Sequence, residues 1–255
     1  MLRNRLIFAL IYNDGVFTQS RNFRLQNVGD VNWLEKNYKI QDLSFSIDEL
    51  IIIDATKDKK NITTFTNVVK QIASKVFIPV AAGGGIRCVE DAELLFRSGA
   101  DKIILNSALY ENPKLIKDLS EKYGGQSIIG SIDYRKINKE LKVFIKDGTT
   151  EIDSNLNEYL LDIGSIGVGE VILNSINQDG TGFGFDIETA DFYAKKNSLP
   201  IILMGGAGNS QHLKVGLSIE GVSAVATANL FNFIGDGLPN ARTELINEGC
   251  NLAKW

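Results

Sequence analysis

The sequence predicts a closed parallel (β/α)8 TIM barrel assembled from two half-barrels, about 1–124 and 125–255, within a single domain spanning 1–255. Three observations predict it. Short apolar runs alternate with helix-like segments along the whole chain. Eight such β/α units fit in 255 residues, close to the roughly 250 typical of this barrel. One strand–turn–helix–strand pattern also occurs twice, half a chain apart.

Each strand is read from an apolar run bounded by turn residues, the signature of a strand buried on both faces. LIFALI (6–11) breaks into the Asn13-Asp14-Gly15 turn; a loop, VFTQSRNF (16–23), and a helix near 30–37 follow. ELIIID (49–54) precedes a helix near 60–75, and FIPVAA (77–82) runs into three glycines and a helix near 89–98. KIILNS (102–107) leads to a helix at 112–123. SIIGSID (127–133) is followed by a hairpin, KELKVFIKDGTTEI (139–152), and a helix at 155–166. EVILNS (170–175), LPIILMG (199–205) and SAVATA (223–228) complete the strands, with helices near 186–197, 209–219 and 239–247. The repeat pairs IPVAAGGGIR…SGADKIILNSALY (78–110) with LPIILMGGAGN…EGVSAVATANLF (199–231). In that register Leu10-Ile11 aligns with Ile132-Asp133, so one half offers a carboxylate at the strand tip and the other does not.

Composition narrows the function classes. A net charge of -4 lacks the basic patch that nucleic acid or an anionic membrane requires. Two cysteines make no disulfide framework, and a single histidine, His212, supplies neither a zinc cluster nor a Ser-His-Asp triad. No metal or cofactor is expected. The start MLRNRLIFALIYNDG has a basic end and an apolar run but no small-residue cleavage site, and no window approaches a membrane span, so the expected location is the cytoplasm. Trp33 and Trp255 are read as packing residues.

Three constellations carry candidate chemistry. Gly84 and Gly85 with Asn106 and Ser107 form one candidate phosphate cradle; Asp179, Gly180, Gly205, Gly206, Ala228 and Asn229 form a second. Glycine lets backbone N–H groups approach an anion closely; the same residues also suit plain tight turns. Asp133 and Asp179 are placed at strand ends, where barrel enzymes keep proton-transfer groups, although a capping role fits too. At the other end Arg5, Glu49, Lys102 and Glu170 each begin a strand. Period-2 alternation puts Arg5 with Ile7, Ala9 and Ile11, Lys102 with Asn106, and Glu170 with Asn174. Two cations and two anions would then ring the barrel's bottom, as a salt-bridge plug or as a gate.

Taken together, LRNRLIFALIYNDG, DELIIIDAT, IPVAAGGGIR, GADKIILNSALYENP, GSIDYRK, GEVILNSINQDGTGFGFD, LPIILMGGAGN and ATANLFNF resemble, end to end, the cyclase (HisF) family of imidazole glycerol phosphate synthase. The resemblance implies a barrel docked onto a HisH-like glutaminase, whose ammonia passes a salt-bridge gate and attacks a bisphosphorylated substrate at the top. It implies that Arg5, Glu49, Lys102 and Glu170 are the gate and that Asp101 faces the glutaminase. The glycine turns would be the phosphate sites, Asp133 one catalytic aspartate and Asp179 a substrate-side acid. Departures cluster elsewhere: Ile11 replaces the other catalytic aspartate, Gln19 stands where a lysine is expected, and Asn229 where a serine is usual.

Isoleucine can neither give nor accept a proton. The resemblance therefore implies first a HisF-like paralogue that passes ammonia onward, with a separate sugar amidotransferase using it to amidate a surface-polysaccharide (lipopolysaccharide) sugar. A histidine-pathway cyclase with a displaced acid is one alternative, and a non-catalytic phosphate-binding regulatory subunit another.

Overall fold

The computed structural model describes residues 3–254 apart from 39, 58, 59 and 197; Trp255 lies outside the described residues. Strands are β1 Arg5–Asn13, β2 Val16–Arg21, β3 Arg24–Gly29, β4 Glu49–Asp54, β5 Val80–Gly83, β6 Lys102–Leu105, β7 Ile128–Ile137, β8 Glu140–Ile145, β9 Thr150–Asn155, β10 Glu170–Ser175, β11 Ile201–Met204 and β12 Val222–Thr227. Helices are α1 Val31–Tyr38, α2 Ile62–Ala73, α3 Val89–Arg97, α4 Ser107–Glu111, α5 Pro113–Tyr123, α6 Leu156–Ser165, α7 Ile187–Ala194, α8 Ser210–Leu217 and α9 Gly237–Asn247. Among the described residues, asparagine or aspartate opens six of them: Asp30, Asn61, Asn112, Asn155, Asp186 and Asn209 each accept a hydrogen bond from a first-turn N–H.

Strands β1, β4, β5, β6, β7, β10, β11 and β12 pair in parallel, each with the next, and β12 returns to β1, closing the barrel. Alternation works as expected. Leu6, Phe8 and Leu10 face the helices, whereas Ile7 and Ala9 join Ile51, Ala81, Ile129, Ile172, Ile202, Ala224 and Ala226 in an interior apolar cluster. A buried bidentate pair ties the last helix to the barrel's lower end. Arg242 on α9 donates to both oxygens of Asp48 at 2.9 Å and to the Ala253 carbonyl, and Asp48 caps the Leu6 N–H.

Two segments depart from the sequence reading. The loop expected at 16–23 is a hairpin: β2 pairs antiparallel with β1, Ile11 against Thr18, and with β3. Its turn, Asn22-Phe23, holds φ of 49° and 63°, the two consecutive positive values a two-residue hairpin turn requires. The strand expected to stop at Asp133 continues to Ile137 and folds back through Asn138-Lys139 onto β8, so the β8–β9 ribbon grows out of the barrel strand. Among the described residues, no helix is long and apolar enough to cross a membrane. Nor is there, among them, a His/Cys/Asp/Glu group able to hold a metal ion.

Candidate functional site

At the lower end the four charged residues meet as a closed ring. Arg5 bonds Glu49 at 2.7 Å and Glu170 through both guanidinium nitrogens. Lys102 reaches Glu49 at 3.1 Å and Glu170 at 3.3 Å. The anions are deeper than the cations: side-chain exposure is 2% for Glu49 and 11% for Glu170, against 24% for Arg5 and 22% for Lys102. Sequence reasoning missed Ser223, whose hydroxyl accepts from Arg5 at 3.1 Å and donates to Glu170 at 2.9 Å. A neutral hydroxyl inside a small-residue run gives no signal. Asp101 beside the ring is exposed, and its carboxylate accepts from the Val80 N–H at 2.8 Å, fixing the start of β5.

The opposite end opens into a cavity of about 420 Å³. Its inward positions set up two unlike walls. Ile11, Ile53, Ile104 and Met204 make one apolar; Ser131, Asp133, Asn106 and Asn174 make the other polar. Asp133 is central. One carboxylate oxygen accepts from Asn174 at 2.8 Å and the other from Asn106 at 3.1 Å. Burial pushes its pKa up to about 7, against the Asn174 hydrogen bond, which favours the charged form. Asn174 Oδ1 is buried without a partner among the described residues.

Of the expected site residues, Ile11, Gly84, Gly85, Asn106, Ser107, Asp133 and Asp179 line this cavity. Gly180, Gly205, Gly206, Ala228 and Asn229 do not. Neither aspartate ends a strand as expected. Asp133 lies inside β7, and β10 stops at Ser175, leaving Asp179 in the following turn with its N–H on the Ser175 carbonyl. There Asp179 accepts from the Ser20 hydroxyl at 2.5 Å and the Phe23 N–H at 3.0 Å, clamping the β2–β3 hairpin over the mouth. Burial pushes its carboxyl upward in pKa, opposed by those two bonds. Asp14 is exposed in its turn and does not line the cavity.

Sequence reasoning also missed the cations. Lys57, Lys60, Arg87 and Lys146 line the cavity on the Gly84-Gly85 side. Lys60 donates to the Asp54 carbonyl at 2.8 Å and pairs with Asp147 at 3.2 Å. They come from three separate loops, so no local spacing announces them.

Comparison with known proteins places these features in context. Residues 19–235 match the family described as histidine biosynthesis protein. Over its whole length the chain is 42% identical to the "Putative imidazole glycerol phosphate synthase subunit hisF2" of Parasynechococcus marenigrum (strain WH8102), covering 95% of that protein. It is 34% identical to the imidazole glycerol phosphate synthase subunit HisF of Dictyoglomus turgidum, over 87% of this chain and 86% of that one. The corresponding protein of Pyrobaculum aerophilum is 36% identical over 86% and 85%.

Proposed function

The chain belongs to the histidine biosynthesis protein family as a HisF-type barrel, and we propose that it conducts glutamine-derived ammonia rather than closing an imidazole ring. The observation that carries this reading is a contrast between the two ends. The ion ring is complete, with all four charges paired, while the mouth holds Ile11 where a second acid is needed beside Asp133.

Between the ends, the interior supports passage of a neutral molecule. Its buried residues are isoleucine and alanine with Met204, an apolar medium that ammonia would cross without the large desolvation cost an ammonium ion would meet. Ring closure needs proton transfers at the mouth. A positioned acid or base contributes about 10²–10⁴-fold, or roughly 3–5 kcal/mol of barrier. Ile11 supplies none of it, and Asp133 alone does half of a two-carboxylate reaction.

On this reading a HisH-like glutaminase docks at the ring, near Asp101. Ammonia leaves by the mouth for a separate amidotransferase, which amidates a surface-polysaccharide sugar in the cytoplasm. The 42% identity to a protein whose name carries hisF2, against 34% and 36% to two named HisF, supports a paralogue. The test is direct. Given ammonia and the bisphosphorylated ribulosyl-formimino substrate, the purified chain should form no measurable imidazole glycerol phosphate, yet it should stimulate glutamine hydrolysis by its glutaminase. Ring closure at the rate of an ordinary HisF protein would overturn the proposal.

A further inference from the structure

Among the described residues five phenylalanines are exposed: Phe45, Phe77, Phe183, Phe192 and Phe231. Phe45 and Phe77 shortly precede β4 and β5, at the ion-ring end of the barrel. Phe183 follows β10 and Phe231 follows β12, so both stand at the mouth, where they are 83% and 50% exposed. Phe192, on the flank in α7, has a partner of its own: the Lys196 ammonium lies 3.8 Å from its ring centroid. The other four mark the two ends of the barrel.

The two at the mouth belong to one patch. A Cβ built on Gly208 would meet the Gly182 Cα at 2.8 Å, and the Asn232 side-chain amide donates to the Gly208 carbonyl at 2.9 Å. The loops carrying Phe183 and Phe231 thus both touch Gly208. Around them the sequence is free of charge: the segments 180–185, 205–211 and 228–235 contain no lysine, arginine, aspartate or glutamate. Exposed aromatic side chains amid depleted charge are the composition of an interface core, not of ordinary surface.

Across the mouth, β4 and β5 stand opposite β10 and β11 in the barrel order, and their loops are cationic. Lys60 pairs with Asp147, and Lys146 with Glu111 at 2.8 Å. The exposed Lys57 and Arg87 have no carboxylate partner among the described residues. A protein complementary to this mouth offers apolar side chains to the β10–β12 loops and carboxylates to Lys57 and Arg87. Ammonia conduction narrows the choice further. Ammonia spilled into water at neutral pH takes up a proton and ceases to be a nucleophile, so its consumer has to sit on the outlet. A second copy of this chain, mouth to mouth, would only join two outlets.

We infer that the mouth is a second protein interface, on which the ammonia-consuming amidotransferase seats apolar residues over Phe183 and Phe231 and carboxylates over Lys57 and Arg87. The barrel then joins two docked enzymes end to end, one at the ring and one at the mouth. This rests on the conduit reading for the partner's identity. Docking is measured without glutamine, and ring closure without the amidotransferase, so each can fail alone.

The experiment is sedimentation velocity of the full chain with its glutaminase and the sugar amidotransferase of the same organism. A complex holding one copy of each is expected. Phe183→Ser combined with Phe231→Ser should weaken amidotransferase binding about tenfold or more and leave glutaminase binding unchanged. Lys57→Glu combined with Arg87→Glu should weaken amidotransferase binding by a similar factor, and added salt should loosen the wild-type complex. Phe192→Ser should alter neither partner's binding. All five substituted side chains are exposed, and circular dichroism checks each fold. An amidotransferase that stays free of the wild-type chain, or binds the Phe183 and Phe231 double variant as tightly as wild type, overturns the proposal. So does a dimer of the chain alone that the same variant dissociates. Stimulated glutamine hydrolysis, assayed with chain and glutaminase only, reports independently on the conduit.

Discussion

Replacing Lys102 with alanine isolates the gate from the fold. The substitution removes two of the ring's links, those to Glu49 at 3.1 Å and Glu170 at 3.3 Å, and leaves both carboxylates to Arg5. Breaking a fully buried ion pair costs about 3–5 kcal/mol, since the surviving charge stays desolvated, whereas an exposed pair is worth about 0–1 kcal/mol. Lys102 lies between these cases. Its partners are nearly buried, but its own side chain is 22% exposed, so water can replace the ammonium. A loss of about 2 kcal/mol follows, small enough for a barrel of this size to stay folded, and urea denaturation would read it.

The functional consequence should be larger. Without the Lys102 stem the ring has a permanent gap, and ammonia released by the glutaminase exchanges with bulk water before entering the barrel. In a reconstituted complex with glutaminase and sugar amidotransferase, product formed from glutamine should fall about tenfold, a barrier change of about 1.4 kcal/mol. Product formed from added ammonium salt should not fall. An unchanged glutamine-dependent rate refutes the gate, and equal loss with both nitrogen sources shows damage to something other than the channel.

Three further outcomes follow from particular contacts. Burial raises the Asp133 pKa to about 7 in the folded chain, from 3.8, so the folded state binds the extra proton and stability falls as pH rises between those values. Asp133→Asn should match wild type near pH 4 and exceed it by roughly 3–5 kcal/mol above pH 8, where the charged form is no longer carried; denaturation curves with no pH-dependent difference would contradict the buried-acid assignment. Arg242→Leu strands Asp48 and should cost about 3–5 kcal/mol, read as a lower global unfolding midpoint; a local loosening of the C-terminal helix alone would argue against its role in closing the barrel. Ile11→Asp should leave ring closure below that of an ordinary HisF protein, short of the roughly 10²–10⁴-fold a positioned acid supplies, because Gln19 on β2 still stands where the resemblance expects a lysine. Full HisF-like turnover in that variant would sink this expectation.

Most of the barrel was legible because strands buried on both faces read as unbroken apolar runs. Glu49–Asp54 and Glu170–Ser175 fall at the residues their hydrophobicity marks. The ion ring was legible for a related reason: a charge opening an apolar strand, at inward parity, has nowhere to go but the barrel floor. The β2–β3 hairpin was not. Its β3 strand is largely exposed, and its turn uses Asn22-Phe23 without the glycine that normally announces such turns. Asp179 was placed one turn too early because its register depends on the Ser175 carbonyl, a contact with no counterpart in residue type.

The positions at which this chain departs from the pattern it resembles are not scattered around the barrel. Ile11 lies on β1, Gln19 on β2, and Asn229 just after β12, and β12, β1 and β2 are neighbours through direct pairing. The other side of the mouth keeps Asp133, Gly84, Gly85 and Ser107 facing one cavity. Cyclisation requires a substrate stretched across the mouth, with its reacting carbon held near both acids; such positioning is where much of an enzyme's rate originates. Ile11 instead adds to the apolar lining with Ile53 and Ile104. On the proposed reading, ammonia conduction needs the ring and the interior, which lie below the altered positions. Departures confined to one sector of the mouth, above a complete ion ring, are therefore what the proposed conduit leads one to expect.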